Sequence, residues 1–107
     1  MATPEGRVKD SIKKELDGRG FWRAGTTRPQ GRVIGWYYMP VSNGMGVHGI
    51  PDFCGIHAGR PLYIEAKAPK GEPTANQLKR HEEIRAAGGE VLLIDDVQEL
   101  RDYFDHA

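Results

Sequence analysis

Gly49-Ile50-Pro51-Asp52-Phe53-Cys54-Gly55-Ile56-His57 and Arg60-Pro61-Leu62-Tyr63-Ile64-Glu65-Ala66-Lys67 flank a short break, Ala58-Gly59. The two runs read as the strands of one β-hairpin with Ala58-Gly59 as its turn. In that register His57 faces Arg60, and counting back along both strands sets Asp52 opposite Glu65. Directly opposed residues of an antiparallel pair point to one face, with Cβ atoms about 5 Å apart. Lys67, two residues beyond Glu65, joins that face. Two carboxylates and an ammonium then share one patch of sheet. Carboxylates this close repel at neutral pH unless a cation lies between them, and hard oxygen donors suit Mg²⁺ or Mn²⁺. The spacing predicts a metal site with a lysine beside it. The plainer alternative, an exposed acid pair bridged by Lys67, is disfavoured because opposed acids cost free energy without a cation.

The chain has 107 residues, 38% hydrophobic and 28% charged, which fits one α/β domain over the whole chain with a thin core. No apolar run approaches the roughly 20 residues that span a bilayer. Met1-Ala2-Thr3-Pro4-Glu5 lacks the charged-then-apolar pattern of a signal peptide, so a cytoplasmic protein without membrane contact is expected. Cys54 is the single cysteine, which excludes an internal disulfide and a cysteine-rich zinc site. The formal net charge is zero, so any basic surface is local. Its candidates are Lys67, Lys70, Lys79, Arg80 and Arg85 around the acid pair, and Arg7, Lys9, Lys13 and Lys14 near the start. For most of these a solvated surface is the ordinary reading.

Thr3-Pro4-Glu5 opens a helix with a capping hydroxyl, a proline in the first turn and a well-placed acid. Val8, Ile12 and Leu16 form its buried stripe, and Gly18 and Gly20 end it. Glu5 falls on the side of that stripe. Phe21 to Thr26 and Val33 to Met39 read as strands. A glycine-rich loop, Pro40 to Gly49, leads into Pro51-Asp52, and its glycines suggest mobility or close approach of backbone to a ligand. It does not match a phosphate-binding P-loop. Thr74-Ala75-Asn76-Gln77 starts a second helix with Leu78, His81 and Ile84 down one side, ending at Gly88-Gly89. Glu90 to Ile94 is a buried strand. Asp96-Val97-Gln98-Glu99 caps a last helix carrying Val97, Leu100 and Phe104. The order predicts an α/β fold with a mixed central sheet flanked by helices.

A strand bearing Pro51-Asp52 followed by one bearing Glu65-Ala66-Lys67 resembles the restriction-endonuclease-like fold of the PD-(D/E)xK nucleases. Within them the chain is similar to the VRR-NUC (virus-type replication-repair nuclease) domains, through Gly49-Ile50-Pro51-Asp52, Ile64-Glu65-Ala66-Lys67, Gln77 in the next helix, Gly88 and the strand after it. The likeness spans roughly Gly46 to Phe104, with Glu5 at the expected place upstream. It implies that Asp52, Glu65 and the Ala66 carbonyl hold Mg²⁺ or Mn²⁺, with Glu5 completing the shell directly or through water. The cation would screen charge on the phosphate, and Lys67 would orient or deprotonate water or stabilise developing charge. The implied activity is DNA phosphodiester hydrolysis leaving 5′-phosphate and 3′-hydroxyl ends. Stand-alone domains of this size resemble phage and bacterial members that act as homodimers on branched DNA such as four-way junctions, in a bacterial cell or an infected host.

Several residues keep two readings. Thr74-x-x-Gln77 is also a capping box, a use compatible with a role near the site. His48 is a candidate phosphate contact beside Lys70, Lys79 and Arg80, or a polar loop residue. Strand alternation sends His57 away from Asp52, which disfavours a zinc hydrolase built on His48, Asp52 and His57. Cys54 shares the face of Asp52 as a small filler. Trp36, Tyr37 and Tyr38 suit either a buried contact between subunits or the domain's own core. Flap, single-strand or duplex preference remains open, as does a module that binds DNA or a replication protein without cutting. The intact Asp52, Glu65 and Lys67 set argues against the last.

Overall fold

Thr3 caps α1 (Pro4–Arg19), its hydroxyl accepting the Gly6 N–H at 3.0 Å, in a computed structural model that describes residues 3–41 and 46–106. Val8, Ile12 and Leu16 are the buried stripe of this helix, as their spacing predicts. Gly20 ends it in the left-handed conformation, φ 101°, which glycine adopts without a Cβ clash. Then follow β1 (Phe21–Arg23), β2 (Gly35–Tyr38), β3 (Phe53–His57), β4 (Arg60–Ala66), α2 (Ala75–Ala86), β5 (Glu90–Ile94) and α3 (Val97–Asp105). The five strands lie side by side in chain order. The outer pairs, β1 with β2 and β4 with β5, are parallel, and the two inner pairs are antiparallel. This is the mixed sheet expected from the sequence.

Register follows the predicted count. Phe53 pairs with Ile64 and His57 with Arg60, through a turn in which Ala58 (φ 50°) and Gly59 (φ 81°) are both left-handed. That pair of angles is the turn whose twist matches a hairpin. Three strand readings were too long. β3 begins at Phe53, not Gly49, because Gly49 sits at φ 88° and Pro51 has no N–H to give a ladder. β1 stops at Arg23, short of the left-handed Gly25, and β2 is confined to Gly35–Tyr38. Leu78 is exposed, not part of a buried stripe, and His81 is the buried residue of α2. Of the predicted glycine-rich loop, Ser42, Asn43, Gly44 and Met45 lie outside the described residues.

The two faces of the sheet are unequal. One carries Phe21, Tyr37, Phe53, Leu62, Ile64, Ala66 and Ile94, packed with α1 and Leu100 of α3 into the core. His57 belongs to this side, stacked 5.5 Å from the Phe21 ring and edge-on to Phe104. The other face carries Trp36, Tyr38, Cys54, Tyr63 and Glu65, and α2 covers only its β4–β5 half. No helix among the described residues is long and apolar enough to cross a membrane.

Candidate active site

The site forms where the hairpin leaves its regular ladder. Continuing the Phe53–Ile64 register by one pair sets Asp52 opposite Glu65. Asp52 has left the strand, and its Oδ2 takes the place of a backbone partner by accepting the Ala66 N–H at 2.8 Å. The N–H of Lys67 donates to Ile94 of β5 at 2.9 Å. Successive residues of a strand turn their backbone groups to alternate edges. The Ala66 carbonyl therefore faces the same edge as its N–H, toward Asp52. Asp52 is pinned to the strand that carries Glu65, Ala66 and Lys67.

Gly49 holds the approach to Asp52 against α2. A Cβ there would collide with the backbone of Asn76 and Gln77, and its φ of 88° suits glycine. This is one of the backbone approaches that the glycine-rich loop suggested. It is made to the protein's own helix.

Gln77 closes the capping box and also reaches Glu65. Its Oε1 accepts the Thr74 N–H at 2.8 Å while its N–H donates to the Thr74 hydroxyl at 3.2 Å, closing the capping box. Its Nε2 donates to Glu65 Oε2 at 3.2 Å. One turn on, His81 Nε2 lies 3.2 Å from the other Glu65 oxygen. Both Glu65 oxygens are thus held by the same face of α2, and Glu65 is only 1% exposed. His81 was read from sequence as part of an apolar stripe. The available signal was its spacing of four from Gln77, which puts two polar side chains on the helix face that meets the sheet.

The electrostatics show a site short of positive charge. Burial, and then the Asp52 carboxylate, push Glu65 up from its ordinary 4.5 to about 8, with Lys67 opposing. His81 is pushed down by burial and by the cations Arg85 and Lys67. The buried pair thus favours a neutral imidazole against a protonated carboxyl. Lys9 of α1 lies 3.2 Å from Asp52 Oδ1, and Lys67 Nζ lies 3.8 Å from Glu5 Oε1. Lys9 counted from sequence only as local basic surface. The fold places its ammonium on the acid pair.

The remaining predicted residues are more dispersed. Lys70 is exposed in the loop after β4, in a left-handed conformation (φ 65°). Lys79 is exposed two residues from both Gln77 and His81, on the side of α2 turned away from Glu65. Arg80 is engaged by Glu83 at 2.8 Å and reaches the His48 carbonyl at 3.5 Å. His48 itself is exposed in a groove of about 340 Å³ that runs from Asp52 and Lys9 toward Pro40 and Ile50. The Cys54 thiol, buried and pushed up to about 11 chiefly by burial, stays protonated as an inert filler.

A divalent cation suits these donors. Among the described residues no three of His, Cys, Asp and Glu gather into a cage, so a dedicated zinc or calcium site does not fit. Two carboxylates and a carbonyl fit Mg²⁺, which keeps several waters and takes one or two carboxylates plus substrate phosphate. The Lys9 ammonium on Asp52 is a cation of the chain's own in that position.

The chain is 35% identical over 65 residues to "Putative nuclease p44" of Acyrthosiphon pisum secondary endosymbiont phage 1, covering 60% of this chain and 68% of that protein. A solved structure described as a VRR_NUC domain superposes with a TM-score of 0.72 at 24% identity, over 98% of each chain. The chain belongs to the VRR-NUC domains. No family model matches it. In this VRR-NUC domain the register sets Asp52 opposite Glu65, Gln77 donates to Glu65, and Lys67 Nζ lies nearest Glu5 among the acids.

A pH dependence follows for the metal-free domain. Unfolded, Glu65 ionises near 4.5; folded, it holds its proton to about 8. The folded state binds more protons between those values, so this group's stabilisation is full below about 4.5 and lost as pH rises through 8. The melting midpoint of the metal-free domain should therefore fall as pH rises from 5 to 9. Glu65→Gln should remove that part of the fall. Thermal melts in EDTA from pH 5 to 9 check this, and parallel curves for the two proteins would refute the shift.

Proposed function

We propose that this nuclease-family domain is a Mg²⁺- or Mn²⁺-dependent DNA endonuclease. The observation that carries the reading is the convergence of Asp52, Glu65 and the Ala66 carbonyl at one strand end, with Lys67 adjoining. Asp52, Glu65 and Ala66 would hold the cation, and Glu5, near Lys67, would join through water. When bound, the cation supplies a Lewis acid and neutralises charge on the scissile phosphate. Gln77 and His81 fix the Glu65 carboxyl from behind, so its oxygens need no reorganisation on substrate binding. Lys67 orients the attacking water or stabilises the developing charge. Water adds to phosphorus, the bond from phosphorus to the 3′ oxygen breaks, and the proton ends on that oxygen. The products are a 5′-phosphate and a 3′-hydroxyl. Lys9, His48 and Arg80 lie along the groove at Asp52 as candidate phosphate contacts, with Lys70 exposed in the loop after β4 and Lys79 on the outer side of α2. The test is incubation of labelled duplex, flap, single-strand and four-way junction DNA with Mg²⁺, Mn²⁺ or EDTA. Loss of all cleavage in EDTA is expected, and metal-independent cleavage would refute the reading.

The finer reading is a homodimer that cuts branched DNA. A short chain gains stability from a partner, and two sites related by a two-fold axis suit two strands of a junction. The expected mass in solution is twice that of one chain, with four-way junctions cut faster than matching linear duplex. Light scattering that gives a monomer at micromolar concentration, with both substrates cut equally, would remove this reading while sparing the metal nuclease.

A further inference from the structure

The half of the sheet that α2 leaves open is aromatic and adjoins the acid pair. Trp36 and Tyr38 point from β2 to the same face as Asp52, Cys54 and Glu65. They are 38% and 44% exposed, and Ile56 beside Trp36 is 49% exposed. Tyr37 between them turns inward to the core, donating its hydroxyl to Asp17 at 2.6 Å. The neighbouring rings are thus divided, Tyr37 to the core and Trp36 and Tyr38 to the half-exposed face.

Their order along the sheet is regular. Glu65 lies opposite Asp52; the next row of that face is Tyr38, Cys54 and Tyr63; the row after it is Trp36, Ile56 and Pro61. Each row is two residues further along the strands, about 6.7 Å. That is about twice the 3.4 Å repeat of a strand within duplex DNA, the step of a nucleotide drawn out of its stack. The Trp36 and Tyr38 rings lie 5.7 Å apart and tilted by 43°, an aromatic pair that stays part-exposed.

A cation borders the same rings. From Gly18 to Ile64 the sequence contains Arg19, Arg23, Arg28, Arg32 and Arg60 against a single acid, Asp52. Arg19 is paired to Glu15 and Asp105, and Arg32 borders the hollow beside Trp36 and Ile56. Arg23 and Arg60 pair with Tyr37 and His57 and so turn to the core side of the sheet, which leaves Arg32 as a cation at the edge of the rings. Exposed aromatic rings with a cation at their edge are the chemistry that takes single-stranded nucleic acid, through base stacking and phosphate contact.

We infer that Trp36 and Tyr38 form a stacking platform for unpaired bases leading to the acid pair, so that this nuclease takes substrates with single-stranded nucleotides beside the cleaved bond. The inference rests on the nuclease reading of Asp52 and Glu65. It narrows the substrate class to DNA whose bases are free to leave the duplex, at a branch, flap or strand end. An uninterrupted duplex leaves the platform empty.

The test uses the whole chain in EDTA with a labelled oligothymidylate, an abasic strand of equal length and a blunt duplex, followed by anisotropy. Wild type and the double variant Trp36→Phe/Tyr38→Phe should bind oligothymidylate within about threefold of each other, since Phe retains a stacking face. Trp36→Ala/Tyr38→Ala should bind it roughly 5- to 150-fold more weakly per ring lost. Wild type should bind the abasic strand as poorly as the alanine variant binds oligothymidylate, and duplex affinity should be equal in all three proteins. Equal binding of abasic and base-bearing strands by wild type would overturn the platform, even if the alanine variant does not fold. So would an alanine variant that keeps strand affinity but falls to half the mass in light scattering, which would give this face to a second copy of the chain. Ring-dependent strand binding with no Mg²⁺-dependent product from any DNA would support the platform and sink the nuclease reading. Cleavage with ring-independent binding would do the reverse.

Discussion

Replacing Lys67 with alanine is expected to lower the cleavage rate by about 10²- to 10⁴-fold, the usual contribution of a positioned proton-transfer or charge-stabilising group. Mn²⁺ and DNA affinity should stay within a few-fold of wild type. The reason lies in where the fold puts the side chain. The Lys67 backbone is held by Ile94 of β5, so the strand end stays in place without the side chain. Its ammonium is near Glu5 and is not among the groups that hold Glu65 or Asp52, which are Gln77, His81, Lys9 and the Ala66 N–H. The substitution therefore removes chemistry and leaves the donors of the cation. Single-turnover cleavage, with titrations of Mn²⁺ and DNA, separates these effects. Cleavage within a few-fold of wild type would end the proposed role for this lysine.

Asp52→Asn should act on binding as well as chemistry. Asparagine can still accept the Ala66 N–H through its carbonyl oxygen, so the hairpin end keeps its shape, while the anionic ligand is lost. Even groups behind a ligand change metal affinity 10- to 100-fold, so loss of the ligand charge should weaken Mn²⁺ by about 100-fold or more and abolish cleavage with it. Removing the acid also removes its push on Glu65, which should then ionise at lower pH. Lys9 already offsets Asp52 in the metal-free protein. A gain in metal-free stability is therefore expected mainly above about pH 8, where Glu65 would otherwise be charged beside it. Calorimetric titration with Mn²⁺ and melts at pH 6 and 9 test both halves. Unchanged Mn²⁺ affinity would refute the ligand assignment.

Much of this architecture could be read from local pattern. A two-residue turn fixes a hairpin register, so Ala58-Gly59 alone brought Asp52 opposite Glu65, and the left-handed angles of both residues agree with that turn. Caps and helical periodicity likewise determined α1, the start of α2 and the extent of β5, because those signals act within a few residues. What the chain could not reveal depended on which elements meet. β3 starts only at Phe53, because Gly49 is left-handed and Pro51 lacks an N–H, and the Asp52 carboxylate then takes up the Ala66 N–H. His81 looked like core by its spacing and proved to hold Glu65, since only the packing of α2 on β5 decides what its inner face touches. Lys9 sits 43 positions before Asp52, and no periodicity links them; the crossing of α1 over the sheet does. The aromatics of β2, which the sequence left together as one group, are divided by alternation between core and open face, and alternation does not say which face a helix will cover. Sequence by itself determined pairing and register through turn chemistry and side-chain period. Tertiary structure decided burial, ion pairing and which face stays open, because these depend on contacts between distant segments whose free energy no local pattern contains.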